Sequence, residues 1–204
     1  MTIFPLGGPT FKLQTASGAT ILLDPHDGKN GLKPPRAQAK LTLLSQTDGR
    51  NANAGGTGSL VVQGPGEFEV DGAAIYSVPS ATPGKQYFVI ESEGMRLGHL
   101  GDLDRVLQNG EMDELEGVDV LFLPVGGHGV LDSRKATEVI SELEPRLVVP
   151  MQFKEKGMKS ARDPLTDFCK AFGVKDAEPQ DKLRLVKKDL PVEETKVVIL
   201  QSHG

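Results

Sequence analysis

A polar segment follows a short apolar run in the first quarter of the chain. The run Leu41–Leu44 is succeeded by Ser45-Gln46-Thr47-Asp48-Gly49-Arg50-Asn51. A polar segment at the end of a predicted strand is typical of a catalytic or ligand-binding loop. This one contains no histidine and no cysteine, so it offers hydrogen bonds and a carboxylate instead of the ligands that zinc prefers.

Other groups able to do acid–base or metal chemistry are spread along the sequence. A rebuilt site would form if the fold brought together Asp24, His26, Asp48, Asp102 and His128. None of their spacings matches a known metal motif. A serine or cysteine nucleophile is not supported, because the chain contains no Gly-x-Ser-x-Gly segment.

His99 and His128 are each open to a structural interpretation. His99 lies on a predicted strand leading to Asp102, and we interpret it as structural. His128 lies between glycines in Gly126-Gly127-His128-Gly129, which leaves its imidazole accessible. The interpretation of His128 as an exposed loop histidine without a function fits its position equally well.

Composition limits the class of protein. The 204 residues, 38% of them hydrophobic, predict a single domain over 1–204, with 154–190 as a tail of helix and strand within it. The net charge of -5 argues against nucleic acid as a partner, although a basic cluster at 154–162 is interpreted as a solvated loop. No apolar run reaches the ~18 residues of a membrane span, and one cysteine forms no internal disulfide. We therefore expect a cytoplasmic protein.

The elements that must position these groups divide the chain into two halves. The first half predicts strands at 2–6, 10–15, 19–24, 40–45, 59–64, 68–78, 86–92 and 95–101. Glycine marks tight turns at Ser17-Gly18 and Glu93-Gly94. The second half predicts a strand–helix–strand unit with neighbouring buried strands VDVLFLP and RLVVP, then a helix capped by Asp163 and ended by Gly173. KLRLVKK and KVVILQ are predicted as the last strands.

Four segments carry a resemblance to a known family: GPGEFEV, HLGDL, VDVLFLPVGG and EPRLVVPMQF. Together with the opening strands they resemble the metallo-β-lactamase superfamily, in the branch that includes ascorbate-phosphate lactonase-like Zn-dependent hydrolases. The resemblance covers residues 1 to 154 and the final strand. It implies an α/β fold, a four-layer αββα sandwich, with the metal site at one edge between the two sheets.

The resemblance also implies a metal-binding motif, Ser/Thr-His-x-His-x-Asp-His, for one or two ions that are usually zinc. Here Gln46, Asp48 and Asn51 occupy its histidine positions, and Arg50 occupies that of its aspartate. Later ligand histidines fall near Thr82 and at Gln152, Gly8 replaces another histidine, and Asp102 alone remains. Because a guanidinium repels a dication, we expect Arg50 to pair with Asp102.

These substitutions predict a metallo-β-lactamase-fold protein that has lost hydrolysis and binds a small molecule or a protein partner. The expected pocket holds no metal, although zinc is expected in the family, and comprises Gln46, Asp48, Arg50, Asn51, Asp102 and Gln152. The alternative is a hydrolase of a small ester, lactone or phosphate-bearing substrate, with a rebuilt site around Asp48, Asp102 and His128. Self-association is left open.

Overall fold

A computed structural model of the chain describes residues 1–46, 58–175 and 177–202. Its strands are, in chain order, β1 (Thr2–Pro5), β2 (Phe11–Gln14), β3 (Thr20–Leu23), β4 (Leu41–Leu43), β5 (Leu60–Val62), β6 (Gly66–Val70), β7 (Ala73–Pro79), β8 (Gln86–Ser92), β9 (Met95–His99), β10 (Val120–Pro124), β11 (Leu147–Met151), β12 (Leu183–Arg184) and β13 (Lys196–Val197). Its α-helices are α1 (Asn109–Leu115), α2 (Ser133–Leu143) and α3 (Leu165–Phe172).

The strands form two mixed sheets. The first has the order β12-β1-β2-β3-β4-β5 and the second the order β13-β11-β10-β9-β8-β7-β6. Alternating burial in β1 and β2 directs one side of the first sheet inward, as the two-residue period of a strand requires. Every residue of β10 and β11 is buried, and these strands pair in parallel from Val120 opposite Leu147 onward. The prediction of neighbouring buried strands is confirmed.

Two hydrophobic cores hold these layers together. One core joins the sheets and includes Ile21 and Leu43 of the first sheet with Phe88 and Phe122 of the second. The other lies on the opposite side of the second sheet, where Ala136, Val139, Ile140 and Leu143 of α2 pack, as their helical spacing predicts. The predicted α/β fold with two packed sheets is confirmed. All three α-helices of the described ranges contribute to this second core and none to the first, so they cover the outer side of the second sheet.

Local predictions differ from the structure in three places. The predicted strand 68–78 is interrupted at Asp71-Gly72, whose positive φ angles form the turn between β6 and β7. Helix α3 has Pro164 at its N-cap, because the carboxylate of Asp163 faces the ring of His128 instead of capping the helix. The predicted strand KLRLVKK contains only β12, followed by a 3-10 helix at Lys187–Asp189.

The parallel strands set the position of the polar loops. β3 and β4 run parallel in the first sheet, and β9, β10 and β11 run parallel in the second. Loops that follow parallel strands emerge at one edge of a sheet, so polar residues after each strand are gathered there. No helix of the described part of the chain is long and apolar enough to cross a bilayer.

Candidate active site

A cavity of about 330 Å³ opens where these strand ends meet, a volume within the range of small-molecule sites. Most of its lining residues have polar side chains, and they come from loops after β1, β3, β4, β9 and β11 together with the basic segment 154–162. The residues that carry its chemistry are Asp24, His26, Ser45, Gln46, Asp102, Gln152 and Arg162.

Asp24 ties the two sheets together at the base of the cavity. Its left-handed φ of 40° turns the chain at the end of β3. One carboxylate oxygen accepts the backbone N–H of Ser45 at 2.6 Å, and the other lies 2.7 Å from Nε2 of His99. Because His99 is fully buried and packs edge-on to Phe122, Asp24 connects the polar loops to the core between the sheets.

Asp102 is held by two glutamine amides. Nε2 of Gln152 donates to one carboxylate oxygen at 2.6 Å, and Nε2 of Gln46 donates to the other. Burial, and secondly the negative charge of Asp24, raise the pKa of Asp102 above its ordinary value. The hydrogen bond from Gln152 and the positive charges of Lys85 and Arg162 oppose this rise in the pKa without cancelling it.

Close packing fixes the backbone on either side of Asp102. A Cβ on Gly101 would lie 2.2 Å from Cβ of Ser45, and the φ of Gly101 is +48°. Only glycine allows this approach of a loop of the second sheet to a loop of the first. Gln152 itself has a left-handed φ of 58°, which bends the chain after β11 and aims its side chain at Gly101 and Asp102.

A second layer of contacts brings positive charge to the cavity. The Arg162 guanidinium donates to Oε1 of Gln152 at 3.2 Å and to the backbone carbonyls of His128 and Ala161. No carboxylate in the described ranges forms an ion pair with Arg162. Lys85, in contrast, donates to the backbone carbonyl of Asp102 and pairs with Asp104, both at 2.7 Å. Arg162 is therefore a cation in the cavity lining with no anionic partner among these residues.

His26 forms part of the cavity wall, with both ring nitrogens shielded from solvent. Only 6% of its surface is exposed, and neither ring nitrogen has a hydrogen-bond partner within the described part of the chain. Burial lowers the pKa of His26, outweighing smaller contributions from the Leu6 backbone and Asp27. The neutral imidazole is therefore favoured, with one nitrogen free to accept a proton.

The structure brings together only some of the residues predicted from sequence. Gln46, Asp102 and Gln152 meet as described, whereas Asp48, Arg50 and Asn51 lie outside the described residues, so the predicted Arg50–Asp102 pair stays a prediction. His128 does not line the cavity, and its Nε2 lies 3.1 Å from Asp163 with 52% of its side chain exposed. The alternative site around Asp102 and His128 is therefore not assembled.

Sequence reasoning missed the contribution of Arg162. It belongs to the cluster at 154–162 that was interpreted as a solvated loop, yet its guanidinium lines the cavity. The number and spacing of basic residues do not distinguish the two cases. The backbone N–H of Asp163 donates to the carbonyl of Gly126 at 2.7 Å and closes this segment against the cavity, a contact that no local sequence pattern indicates.

The donor set around Asp102 does not fit a divalent metal. Within the described ranges, no three or more His, Cys, Asp and Glu side chains are grouped so that they could hold an ion. Both glutamines direct their N–H groups at Asp102, and Oε1 of Gln152 accepts from Arg162. An amide N–H and a guanidinium are not metal ligands.

Comparison with known proteins shows which family this sequence matches. The sequence profile of the beta-lactamase superfamily domain matches residues 2–152. The UPF0173 metal-dependent hydrolase of Thermococcus onnurineus is 36% identical over 98 residues, which are 43% of this chain and 44% of the relative. The corresponding protein of Pyrococcus abyssi is 36% identical over 121 residues, 54% of this chain and 52% of the relative. The chain thus spans about half the length of the curated relatives it matches.

Solved structures extend the likeness to the whole chain. A Thermotoga maritima protein assigned by name to the Zn-dependent hydrolases of the metallo-beta-lactamase superfamily has a TM-score of 0.82 and 32% identity, covering 98% of this chain and 100% of its own. Igni18, a metallo hydrolase of Ignicoccus hospitalis, has a TM-score of 0.66 at 17% identity, covering 90% of this chain and 98% of its own. The second likeness concerns the fold alone.

Two predictions from the sequence are wrong in the light of these relatives. A non-catalytic binding protein is contradicted, because the relatives are named hydrolases. A protein without a metal cofactor is contradicted as well, because the names specify metal-dependent or Zn-dependent hydrolases. The error was to equate the loss of the family's histidine ligands, in the loop after β4 and at later positions, with the loss of hydrolysis. Hydrolysis requires a proton acceptor and a place to stabilise negative charge, and other loops also bring such groups to the cavity.

Proposed function

Because this chain belongs to the metallo-β-lactamase superfamily, we propose that it is a hydrolase of a small ester, lactone or phosphate-bearing substrate. The observation that carries the proposal is the cavity itself. It combines the half-buried carboxyl group of Asp102, whose pKa is raised, with an Arg162 guanidinium that forms no ion pair with a described carboxylate. A volume of about 330 Å³ suits a small substrate, not a polymer.

The protein groups divide the work of hydrolysis. Arg162 stabilises negative charge on the substrate oxygen as water adds, because a fixed cation in a partly enclosed site costs no reorganisation. Asp102, pinned by Gln46 and Gln152, holds or delivers a proton on the side facing the cavity. The glutamine amides keep its carboxyl group in one orientation through both protonation states.

The experiment also varies the metal ion, because the relatives are named metal-dependent hydrolases. The described residues do not supply its ligand set, so the roles above are those of protein groups alone. Purified protein is assayed against small carboxylic esters, lactones, phosphomonoesters and phosphodiesters. Each substrate is tested without added metal, with Zn²⁺, with Mn²⁺ and with a chelator.

Asp102→Asn tests the site, and Asp119→Asn is its control. Asp119 is also buried, but it precedes β10 and therefore lies at the opposite end of the parallel strands. We expect hydrolysis of at least one substrate class, a loss of about 10²-fold or more in kcat/KM for Asp102→Asn, and little change for Asp119→Asn. The proposal fails if no substrate is hydrolysed under any condition, or if the two variants are equally active.

A further inference from the structure

His26 differs from the other buried histidine of the described chain in what surrounds its ring. His99 is completely buried and has Asp24 against Nε2, with its remaining surface in the core. His26 is almost as deeply buried, yet both of its nitrogens are unpaired. Burying an unpaired polar group is unfavourable, a cost that a purely structural position avoids.

The unpaired ring belongs to the wall of the cavity. His26 lies two residues after Asp24, and both line the space that also exposes Asp102 and Arg162. Five titratable or charged groups therefore share the cavity with His26: Asp24, Asp27, Lys29, Asp102 and Arg162. Asp24 is occupied by His99 and Ser45, and Asp27 pairs with Lys29 at 2.5 Å. His26 is thus a proton acceptor in this lining that no described side chain engages.

We propose that His26 is the general base of the hydrolysis, acting on a carboxylic ester or lactone. This inference rests on the proposed function and assigns one of its steps. The water oxygen bonds to the carbonyl carbon while its proton passes to the free imidazole nitrogen, and the C=O π pair moves to the oxygen facing Arg162. The C–O bond to the alcohol then breaks, and the imidazolium returns its proton to the departing alkoxide. One water is consumed, and no oxidant or reductant is needed.

The protonation state of the ring suits this step. A base must be unprotonated when water attacks, and burial lowers the pKa of His26 so that the neutral ring persists below neutral pH. The expected kcat/KM of the wild type falls at acidic pH as the ring gains a proton. Asp102 shares the cavity and also titrates, so the midpoint of the acid limb of the pH–kcat/KM profile does not identify the group responsible. A variant of His26 makes that assignment.

The experiment compares His26→Gln with His128→Gln on the ester or lactone that the wild type hydrolyses. Glutamine keeps a polar side chain but accepts no proton at neutral pH, and the His128 side chain lies outside the cavity. We expect kcat/KM to fall about 10²- to 10⁴-fold for His26→Gln and less than threefold for His128→Gln. The acid limb of the pH profile is lost only in the first variant.

A second variant guards against misfolding and separates the two proposals. His26→Ala is assayed with and without millimolar imidazole, which we expect to restore activity at least tenfold in that variant and leave His128→Gln unchanged. The role of His26 is overturned if folded His26→Gln keeps kcat/KM within threefold of the wild type and imidazole does not restore activity to His26→Ala. The proposal that the protein is a hydrolase would then still stand. A wild type that hydrolyses neither esters nor lactones but cleaves phosphate esters overturns the carbonyl step alone. No hydrolysis of any kind overturns both.

Discussion

Glu111 and Asp102, two carboxyl groups with little access to solvent, have opposite electrostatic surroundings. Glu111, in the first turn of α1, accepts from both terminal nitrogens of Arg105 at 2.7 and 2.9 Å and from the backbone N–H groups of Gln108 and Ala81 at 2.8 Å. Within the described residues, the Asp102 carboxylate in the cavity accepts side-chain hydrogen bonds from two neutral amides, those of Gln46 and Gln152.

Their pKa values diverge accordingly. Burial acts to raise the pKa of Glu111, but the Arg105 ion pair and the backbone donors outweigh it and lower the pKa to about 2. At Asp102, burial and the nearby Asp24 prevail, and the pKa is raised. Charge compensation thus supports the fold at α1, while the cavity retains a carboxyl group whose pKa lies above its ordinary value.

The largest expected effect is on stability at α1. Glu111→Gln leaves Arg105 without its partner and should lower the free energy of unfolding by about 3 kcal/mol at pH 7, measured by urea denaturation. The low pKa of Glu111 means that its stabilisation is present above the ordinary value of 4.5 and is lost as pH falls toward about 2. The gap between wild type and variant should therefore narrow between pH 5 and pH 2.

Glu114→Gln is the matched control for this change. Glu114 lies on the same helix with an exposed side chain, so its replacement should alter the free energy of unfolding by less than about 0.5 kcal/mol. Equal effects of the two variants, or a gap for Glu111→Gln that does not vary with pH, would show that the ion pair contributes little.

A smaller effect is expected where the loops of the cavity touch. Gly101→Ala places a methyl group 2.2 Å from Cβ of Ser45 at a positive φ, and should cost about 2 kcal/mol of unfolding free energy. Gly110→Ala in α1 meets nothing within 4 Å and should stabilise by about 0.5 kcal/mol. Thermal denaturation of both variants should shift in opposite directions. A neutral Gly101→Ala would mean that the loops separate easily.

The smallest effect sharpens the contrast between the carboxyl groups. Because the folded pKa of Asp102 is raised, its ionised form opposes folding once pH exceeds that pKa, and the cost disappears as pH falls toward the ordinary 3.8. Asp102→Asn should therefore stabilise by about 1 kcal/mol at pH 7 and by less at pH 4, while reducing activity. Destabilisation at pH 7 as large as that of Glu111→Gln would refute the difference drawn between them.

Sequence patterns predicted the fold far better than the cavity. The continuous apolar runs of β10 and β11 and the helical spacing of α2 report burial directly, so their places followed from local signals. The turn at Asp71-Gly72 carried an equally local signal, yet the β-forming residues on either side concealed it. Such features depend on neighbours in the chain.

The cavity depends on contacts between residues far apart in sequence. The convergence of Gln46, Asp102 and Gln152 was predictable because the resemblance placed their loops at one edge. The free ring of His26 and the inward guanidinium of Arg162 were not predictable in that way, since solvated and cavity-lining side chains have the same local sequence. Contacts between residues 50 or more positions apart in sequence decide between the two cases, as for Gln152 and Asp102.

Asp24 has a mechanical consequence for access to the cavity. Its single carboxylate joins a loop amide of one sheet to a core imidazole of the other, at 2.6 and 2.7 Å. Because Asp24 and Ser45 both belong to the first sheet, sliding the sheets past each other would break only the contact between Asp24 and His99, and it would leave Nε2 of the buried His99 ring without a partner. That cost opposes any opening of the cavity by movement of one sheet against the other.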